Sequence, residues 1–239
     1  MNNSVNCTFI GKVSSPYQEK FAIPRQPGLV SAAKGTIELI GAANNSELVR
    51  GLEQFSHIWV LFVFHETQNQ GWKPLVRPPR LGGNEKLGVL ATRSTFRPNP
   101  IGMSVVTLDS VTNEDGIVTL NISGLDLLDK TPVLDIKPYI PYCDALNNAQ
   151  GGFAHQEPKT AVSVRFEEQT LPALATFTKE YAELKRLITQ VLAQDPRPAY
   201  KQNKTDDKLY GMKLFDLNIQ WRMRSLNEIC VVNIERVDN

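Results

Sequence analysis

Residues 56–65 read SHIWVLFVFH. The apolar run at its centre, Ile58 to Phe64, is rich in β-branched and aromatic residues and too short for a typical helix. It predicts a strand buried on both faces, with His57 and His65 at its two ends. Such a strand needs neighbours, and the flanking sequence provides them. Val5, Cys7, Phe9, Gly11 and Val13 alternate with mostly polar residues, GTIELI spans 35–40, and IVTLNI at 117–122 follows the turn signal Asn113 to Gly116. SELVRGLEQF, just upstream, predicts a short helix with Ser46 as its N-cap and Leu48 and Leu52 on one side. Many short strands and little helix up to about residue 145 predict a closed or nearly closed β-barrel.

Beyond the loose segment Asn147 to Pro158 the pattern changes. Leu174, Phe177, Tyr181, Leu184, Ile188 and Val191 recur at three- and four-residue spacing, with Pro172 in the first turn and Asp195-Pro196 at the end, which predicts one amphipathic helix. FDLNIQWRMR at 215–224 then alternates: Phe215, Leu217, Ile219, Trp221 and Met223 on one face, polar and charged residues on the other. With AVSVRF before the helix and EICVVNIERV at the end, a small α+β domain follows the barrel. The fold class is therefore mixed: an all-β, barrel-like N-terminal domain over 1–155, and a small α+β domain over 156–239.

Composition narrows the function classes. The chain has 239 residues, 41% of them hydrophobic and 21% charged, and a net charge of +1, so any nucleic-acid reading has to come from where the charges sit. The longest apolar run is far short of the ~20 residues of a membrane span, and the N-terminus lacks a basic region followed by an apolar one, so the chain is expected in the cytoplasm. Cys7, Cys143 and Cys230 are odd in number and widely spaced, which disfavours a disulfide framework or thiolate metal site and predicts small buried hydrophobes. Between Gly71 and Pro100, Lys73, Arg77, Arg80, Lys86, Arg93 and Arg97 face only Glu85, on a stretch stiffened by five prolines. A second basic stretch runs from Arg197 to Arg224.

G-x-G-x-x-G, P-loop, H-E-x-x-H and C-x-x-C patterns are all missing, so Rossmann, Walker and zinc sites lack their usual sequence support and no metal is expected. What remains are polar constellations on loops: PRQPG (24–28), FHET (64–67), TRSTFRPNP (92–100), GLDLLDKTP (124–132) and LDIKPY (134–139). Each joins a Gly or Pro backbone constraint to an ionisable group.

GLEQFSHIWVLFVFH, RPPRLGG, ATRSTFRPNPIGMS, GLDLLDKTPVLDIKPY and AQDPRPAY together resemble the TsaA-like family, whose characterised bacterial members are S-adenosylmethionine-dependent tRNA adenosine N6-methyltransferases. The five motifs occur in the family's order and span nearly the whole chain, and the last belongs to the two-domain bacterial form. The resemblance implies a homodimeric, non-Rossmann β-barrel enzyme that binds S-adenosyl-L-methionine on barrel loops near the subunit interface. It implies as substrate the anticodon loop of threonine tRNA bearing N6-threonylcarbamoyladenosine, which gains a methyl on N6. Carried over position by position, the donor contacts become Gln26, Pro27 and Gly28, His65 and Glu66, Arg93, and Leu125, Asp126, Leu127 and Leu128.

The donor presents a carboxylate, an ammonium, ribose hydroxyls and an adenine, so its site needs an arginine, an acid or carbonyl, and backbone groups. Arg93 is expected on the carboxylate or a tRNA phosphate, with Pro98 and Pro100 holding the loop extended and Gly102 permitting close approach. A sulfonium methyl needs no metal, but the acceptor nitrogen is urea-like, so a general base is expected, and His65 and Asp135 are the candidates. Arg197, Tyr200 and Lys201 on the DPRPAYK loop, with Arg222 and Arg224 on the polar strand face, are expected to bind RNA. Two rivals compete with this reading. One is a non-catalytic S-adenosylmethionine- or RNA-binding barrel; the other, weaker for want of a nucleophile motif, is a hydrolase using His65 with an acid.

Overall fold

The structure is a computed structural model that describes residues 4–156, 162–198, 201 and 204–237. Six strands close the N-terminal barrel: β1 (Gly11–Ser14), β2 (Lys34–Leu39), β3 (His57–Val63), β6 (Ile101–Glu114), β7 (Ile117–Ser123) and β8 (Pro132–Pro138). Their order around the barrel is β1-β2-β7-β6-β3-β8, with β8 returning to β1 and every neighbour antiparallel. Closure removes sheet edges, so no barrel strand presents a long unpaired row of amides. β6 and β7 meet in the turn at Asp115 and Gly116, both at positive φ, which is the left-handed pair a two-residue hairpin requires.

Val13, Ile37, Ile58, Val60, Val106, Leu120, Ile122 and Val133 fill the interior. The barrel is thus packed rather than hollow, and a ligand has to sit on its loops or outer face. β3 alternates: Ile58, Val60 and Phe62 point in and are buried, whereas His57, Trp59 and Leu61 point out and are half-buried. The expected burial on both faces is therefore corrected for the single chain. On the same outer face, Trp59 pairs with Val105 and Lys137, and Leu61 with Met103 and Asp135. A short antiparallel ribbon, β4 (Leu75–Val76) with β5 (Leu87–Gly88), lies within the basic stretch.

The second unit is a four-stranded sheet in the order β10 (Tyr210–Leu214), β11 (Leu217–Ser225), β12 (Glu228–Arg236), β9 (Ser163–Phe166), accompanied by helices α2 (Leu171–Phe177) and α3 (Leu184–Leu192). A single turn, α1 (Pro141–Asp144), follows the barrel. The two units share one buried core. The amide of Phe215 donates to the Pro16 carbonyl, and the Ala32 amide donates to Gln190 Oε1, so the C-terminal unit braces the 15–33 loop that carries Gln26.

Several local expectations are corrected. Instead of one helix over 171–194 there are two, because Tyr181 is captured between them: its ring stacks on Phe215 at 4.1 Å and its hydroxyl donates to Asp216 Oδ1 at 2.6 Å. Residues 46–55 form two 3-10 turns split by Gly51 at φ 83°, capped by the Asn45 side chain rather than Ser46, and Leu48 is exposed. The alternation from Val5 yields a strand only at Gly11, and Val5 and Phe9 are exposed. Cys7 and Cys143 are also exposed; only Cys230 is the expected buried hydrophobe. Among the described residues no helix is long and apolar enough to cross a membrane.

Candidate functional site

The loops around the barrel mouth bring together residues remote in sequence. The Gln26–Gly28 loop is tied to the loop after β7 by the Gly28 amide, which donates to the Gly124 carbonyl at 2.8 Å. Gly28 has φ +81°, a conformation that favours glycine. Arg93 reaches over from the loop before β6, and its guanidinium donates to Gln26 Oε1. Gln26, Pro27 and Arg93 line a shallow cleft with Trp59, Met103, Val105, Tyr139 and Asp144.

Within 125–128 the four residues play different parts. Leu125 and Leu127 are buried in the core, so they can offer a ligand only main-chain groups. The Leu127 carbonyl is already engaged by the Ser15 hydroxyl, and that of Leu128 by Thr131 Oγ1. Asp126 is the chemically active member. Its Oδ1 is shielded from solvent and has no hydrogen-bond partner. Burial pushes its carboxyl up to about 6, against the opposing pull of the Ser104 hydroxyl, its own amide and the charge of Arg93. The Tyr17 hydroxyl, also buried and unpartnered, senses the Asp126 charge and is itself raised, chiefly by burial. A half-buried carboxylate with one oxygen left without a partner is costly to maintain, and such groups concentrate at functional sites. The sequence offered only a weak cue to this, the acid lying between two leucines in GLDLLDK.

His65 and Glu66 lie at the far end of β3, with the His65 Nε2 3.5 Å from Glu66 Oε1 and the His65 side chain 21% exposed. Among the described residues no hydrogen bond or ion pair joins them to Gln26, Arg93 or Asp126; they immediately precede, in sequence, a different cleft between Thr67–Trp72 and Thr95–Pro100. Asp135 stands on the outer barrel face, 48% exposed and 2.9 Å from Lys137 Nζ. Gly102 does permit a close approach, but of the Phe62 ring.

The charged residues divide sharply. Among the described residues, none of Lys73, Arg77, Arg80, Lys86, Arg93 and Arg97 makes a salt bridge. In the C-terminal unit, by contrast, Arg197 is 2% exposed, with Nε and Nη2 on the two Asp195 oxygens and Nη1 on the Lys204 carbonyl. Its guanidinium ties the loop together and does not face outward. Lys201 donates to Asp206 and to the Tyr210 hydroxyl, while Arg222 and Arg224 are exposed on β11. Tyr200 lies outside the described residues.

Comparison with known proteins adds the family context. Residues 12–145 match the tRNA-methyltransferase O N-terminal domain, and residues 159–237 match the TrmO C-terminal domain. The chain is 52% identical over 214 residues to the tRNA (adenine(37)-N6)-methyltransferase of Escherichia coli K12, covering 90% of this chain and 91% of that protein. It is 41% identical over 144 residues to a Pyrococcus abyssi protein named as a probable S-adenosyl-L-methionine-binding protein, covering 60% of this chain and 73% of that one. The crystal structure of TrmO from Pseudomonas aeruginosa superimposes with a TM-score of 0.81 at 40% identity, covering 97% of this chain and 98% of that chain.

Proposed function

The chain belongs to the tRNA-methyltransferase O family and is an S-adenosylmethionine-dependent tRNA (adenine-37-N6)-methyltransferase, and we propose that its substrate is threonine tRNA bearing N6-threonylcarbamoyladenosine. The observation that carries the placement of its chemistry is the barrel mouth, where Asp126, with an unpartnered buried oxygen, lies within electrostatic reach of Arg93, which itself bonds Gln26.

The residues present fit the methyl donor. Arg93, exposed and unopposed by a salt bridge, suits its carboxylate, and the main-chain groups of Gln26, Pro27, Gly28, Leu125, Leu127 and Leu128, other than the engaged Gly28 amide and Leu127 and Leu128 carbonyls, suit the adenine and ribose. When bound, S-adenosylmethionine supplies a methyl group on a sulfonium, an electrophile that needs no Lewis acid. The chain then has two tasks: to hold the acceptor nitrogen in line, and to receive its proton. Asp126 is the carboxylate best suited to the second, because burial raises its proton affinity toward neutrality. His65 stays a candidate base through Glu66 beside it, and Asp135 is the weaker one, being exposed and paired with Lys137.

His65 and Glu66 join the donor site in this proposal through a second copy of the chain. Trp59, Met103, Val105 and Tyr139 form an apolar outer face beside Arg93 and Gln26, and a homodimer that covers it would enclose the donor between subunits. Lys201, Tyr200, Arg222 and Arg224 are assigned to the tRNA body and Arg197 to holding their loop, and the enzyme acts in the cytoplasm, where tRNA is found. The test is incubation of the purified protein with labelled S-adenosylmethionine and tRNA from cells lacking this gene, followed by digestion and mass spectrometry of the nucleosides. Methylated threonylcarbamoyladenosine is the expected product. Donor binding without label in RNA would instead favour a non-catalytic binding module.

A further inference from the structure

A second cleft opens between the turn after β3 and the loop before β6, lined by Thr67, Gln68, Trp72, Thr95 and Arg97. Its two walls are fixed to each other at both ends. The Phe64 amide donates to the Pro100 carbonyl at one end, and the Lys73 amide to the Phe96 carbonyl at the other, where Lys73 Nζ also lies 4.5 Å from the Phe96 ring centroid. Arg97 is half-buried between them. Its Nη1 donates to the carbonyls of Thr92 at 2.6 Å and Val89 at 3.4 Å, which hold the guanidinium in place without neutralising it. No salt bridge opposes it among the described residues. Trp72, at the rim, is 57% exposed, an unusual placement for an indole unless something covers it.

A braced, unopposed guanidinium beside an exposed indole recognises a planar base that carries an anion. Lys73, whose amide closes one end of the cleft and whose Nζ stands over the Phe96 ring, adds a second cation without a salt bridge among the described residues, which suits a polyanionic strand. We propose that this cleft receives the target nucleotide of the tRNA, with Trp72 stacking on its base and Arg97 pairing with the carboxylate at the end of its N6 substituent. This assignment rests on the threonylcarbamoyladenosine substrate named above and adds the residues that select it. Thr67, Thr95 and Gln68 supply hydroxyl and amide groups for the polar part of that substituent. The first residue lining the cleft, Thr67, follows the base candidate His65 by two positions.

The test uses two anticodon stem-loop RNAs identical except at the target position, one bearing N6-threonylcarbamoyladenosine and one plain adenosine, with binding to the full chain read by fluorescence anisotropy. Wild type is expected to prefer the substituted RNA by about tenfold or more, the range of a charge-assisted hydrogen bond. In Arg97→Gln that preference falls to about twofold or less while the plain RNA binds as before, because only the lost charge distinguishes the two. Trp72→Ala weakens both RNAs by about tenfold, as loss of one stacking partner does. Titration with S-adenosylmethionine checks that each variant keeps its fold. Should Arg97→Gln lose donor binding through loop disorder, Trp72→Ala decides alone, since the largely exposed Trp72 side chain makes no hydrogen bond or ring contact among the described residues. Unchanged affinities in Trp72→Ala, or a wild-type preference kept by Arg97→Gln, overturn the cleft assignment. Absence of methyl transfer by the wild type would instead overturn the proposed substrate, and the anisotropy comparison is independent of it.

Discussion

A Cβ placed on Gly102 would lie 2.3 Å from Cζ of Phe62, its cross-strand partner. The Phe62 ring lies over the backbone of β6 and meets Phe64 edge-on at 5.2 Å. Gly102→Ala must push that ring aside within a packed barrel. Overpacking of this kind costs about 1–3 kcal/mol, so urea unfolding should show a lower midpoint at an unchanged slope. Donor affinity measured in the folded range should stay near wild type, because the ring, and not the donor, occupies the space above Gly102.

Arg93→Ala removes an exposed side chain whose bonded partner is Gln26. Loss of one charge-assisted contact should weaken donor binding about tenfold or more by titration calorimetry, while the melting temperature stays within error. Unchanged titration heats would defeat the assignment of Arg93 to the donor carboxylate.

Asp126 links stability to pH. Its carboxyl titrates near the ordinary 3.8 when unfolded and near about 6 when folded, so across that interval the folded chain holds the extra proton. Stability therefore falls as pH rises from 4 to 6, by on the order of 3 kcal/mol once the folded group is ionised. Asp126→Asn cannot ionise. It should melt higher than wild type above pH 6, with the gap closing toward pH 4; a constant gap across the range would refute the perturbed titration.

Methyl transfer measured against pH separates the three candidate bases. If Asp126 takes the proton, wild type should lose activity as pH falls through about 6, and Asp126→Asn should lower kcat sharply and abolish that limb. Asp135→Asn should leave the profile in place. A limb that survives in Asp126→Asn but vanishes in His65→Asn would return the role to His65.

Arg197→Met breaks a buried pair with Asp195 and strands the Lys204 carbonyl. The expected result is a destabilisation of about 3 kcal/mol, read by chemical denaturation. The salt dependence of tRNA binding should hardly change, whereas removing an arginine that contacts phosphate would lower the slope by about one.

Much of the β architecture could be read from the sequence because alternation is a local signal. In β11, Leu217, Ile219, Trp221 and Met223 are buried while Arg222 and Arg224 are exposed, as the two-residue period requires. Helical periodicity was less decisive. The apolar spacing through Tyr181 fits one helix, but Phe215 and Asp216, thirty-odd residues away, pull that residue out of it. The motif that proposes 125–128 as a donor loop could not tell which of its side chains fill the core, as Leu125 and Leu127 do, and which one is left with an unpartnered oxygen, as Asp126 is.

What the sequence by itself determined is the strands that alternate cleanly, the two-part organisation and the family, all properties of residue type and spacing; LDIKPY, read as a loop, lies mostly in β8. Which charges remain available was decided by tertiary structure alone. Arg197 and Arg97 sit in similar Pro-flanked loops, but one is closed on Asp195 and the other is held by backbone carbonyls with no acid opposite. Likewise Asp126, in a loop, and Asp135, in the middle of β8, are both acids of the recognised motifs, and burial separates the first from the second, which pairs with Lys137 in solvent. Charge availability and proton affinity depend on desolvation and on neighbours brought from afar, and neither is written in local sequence.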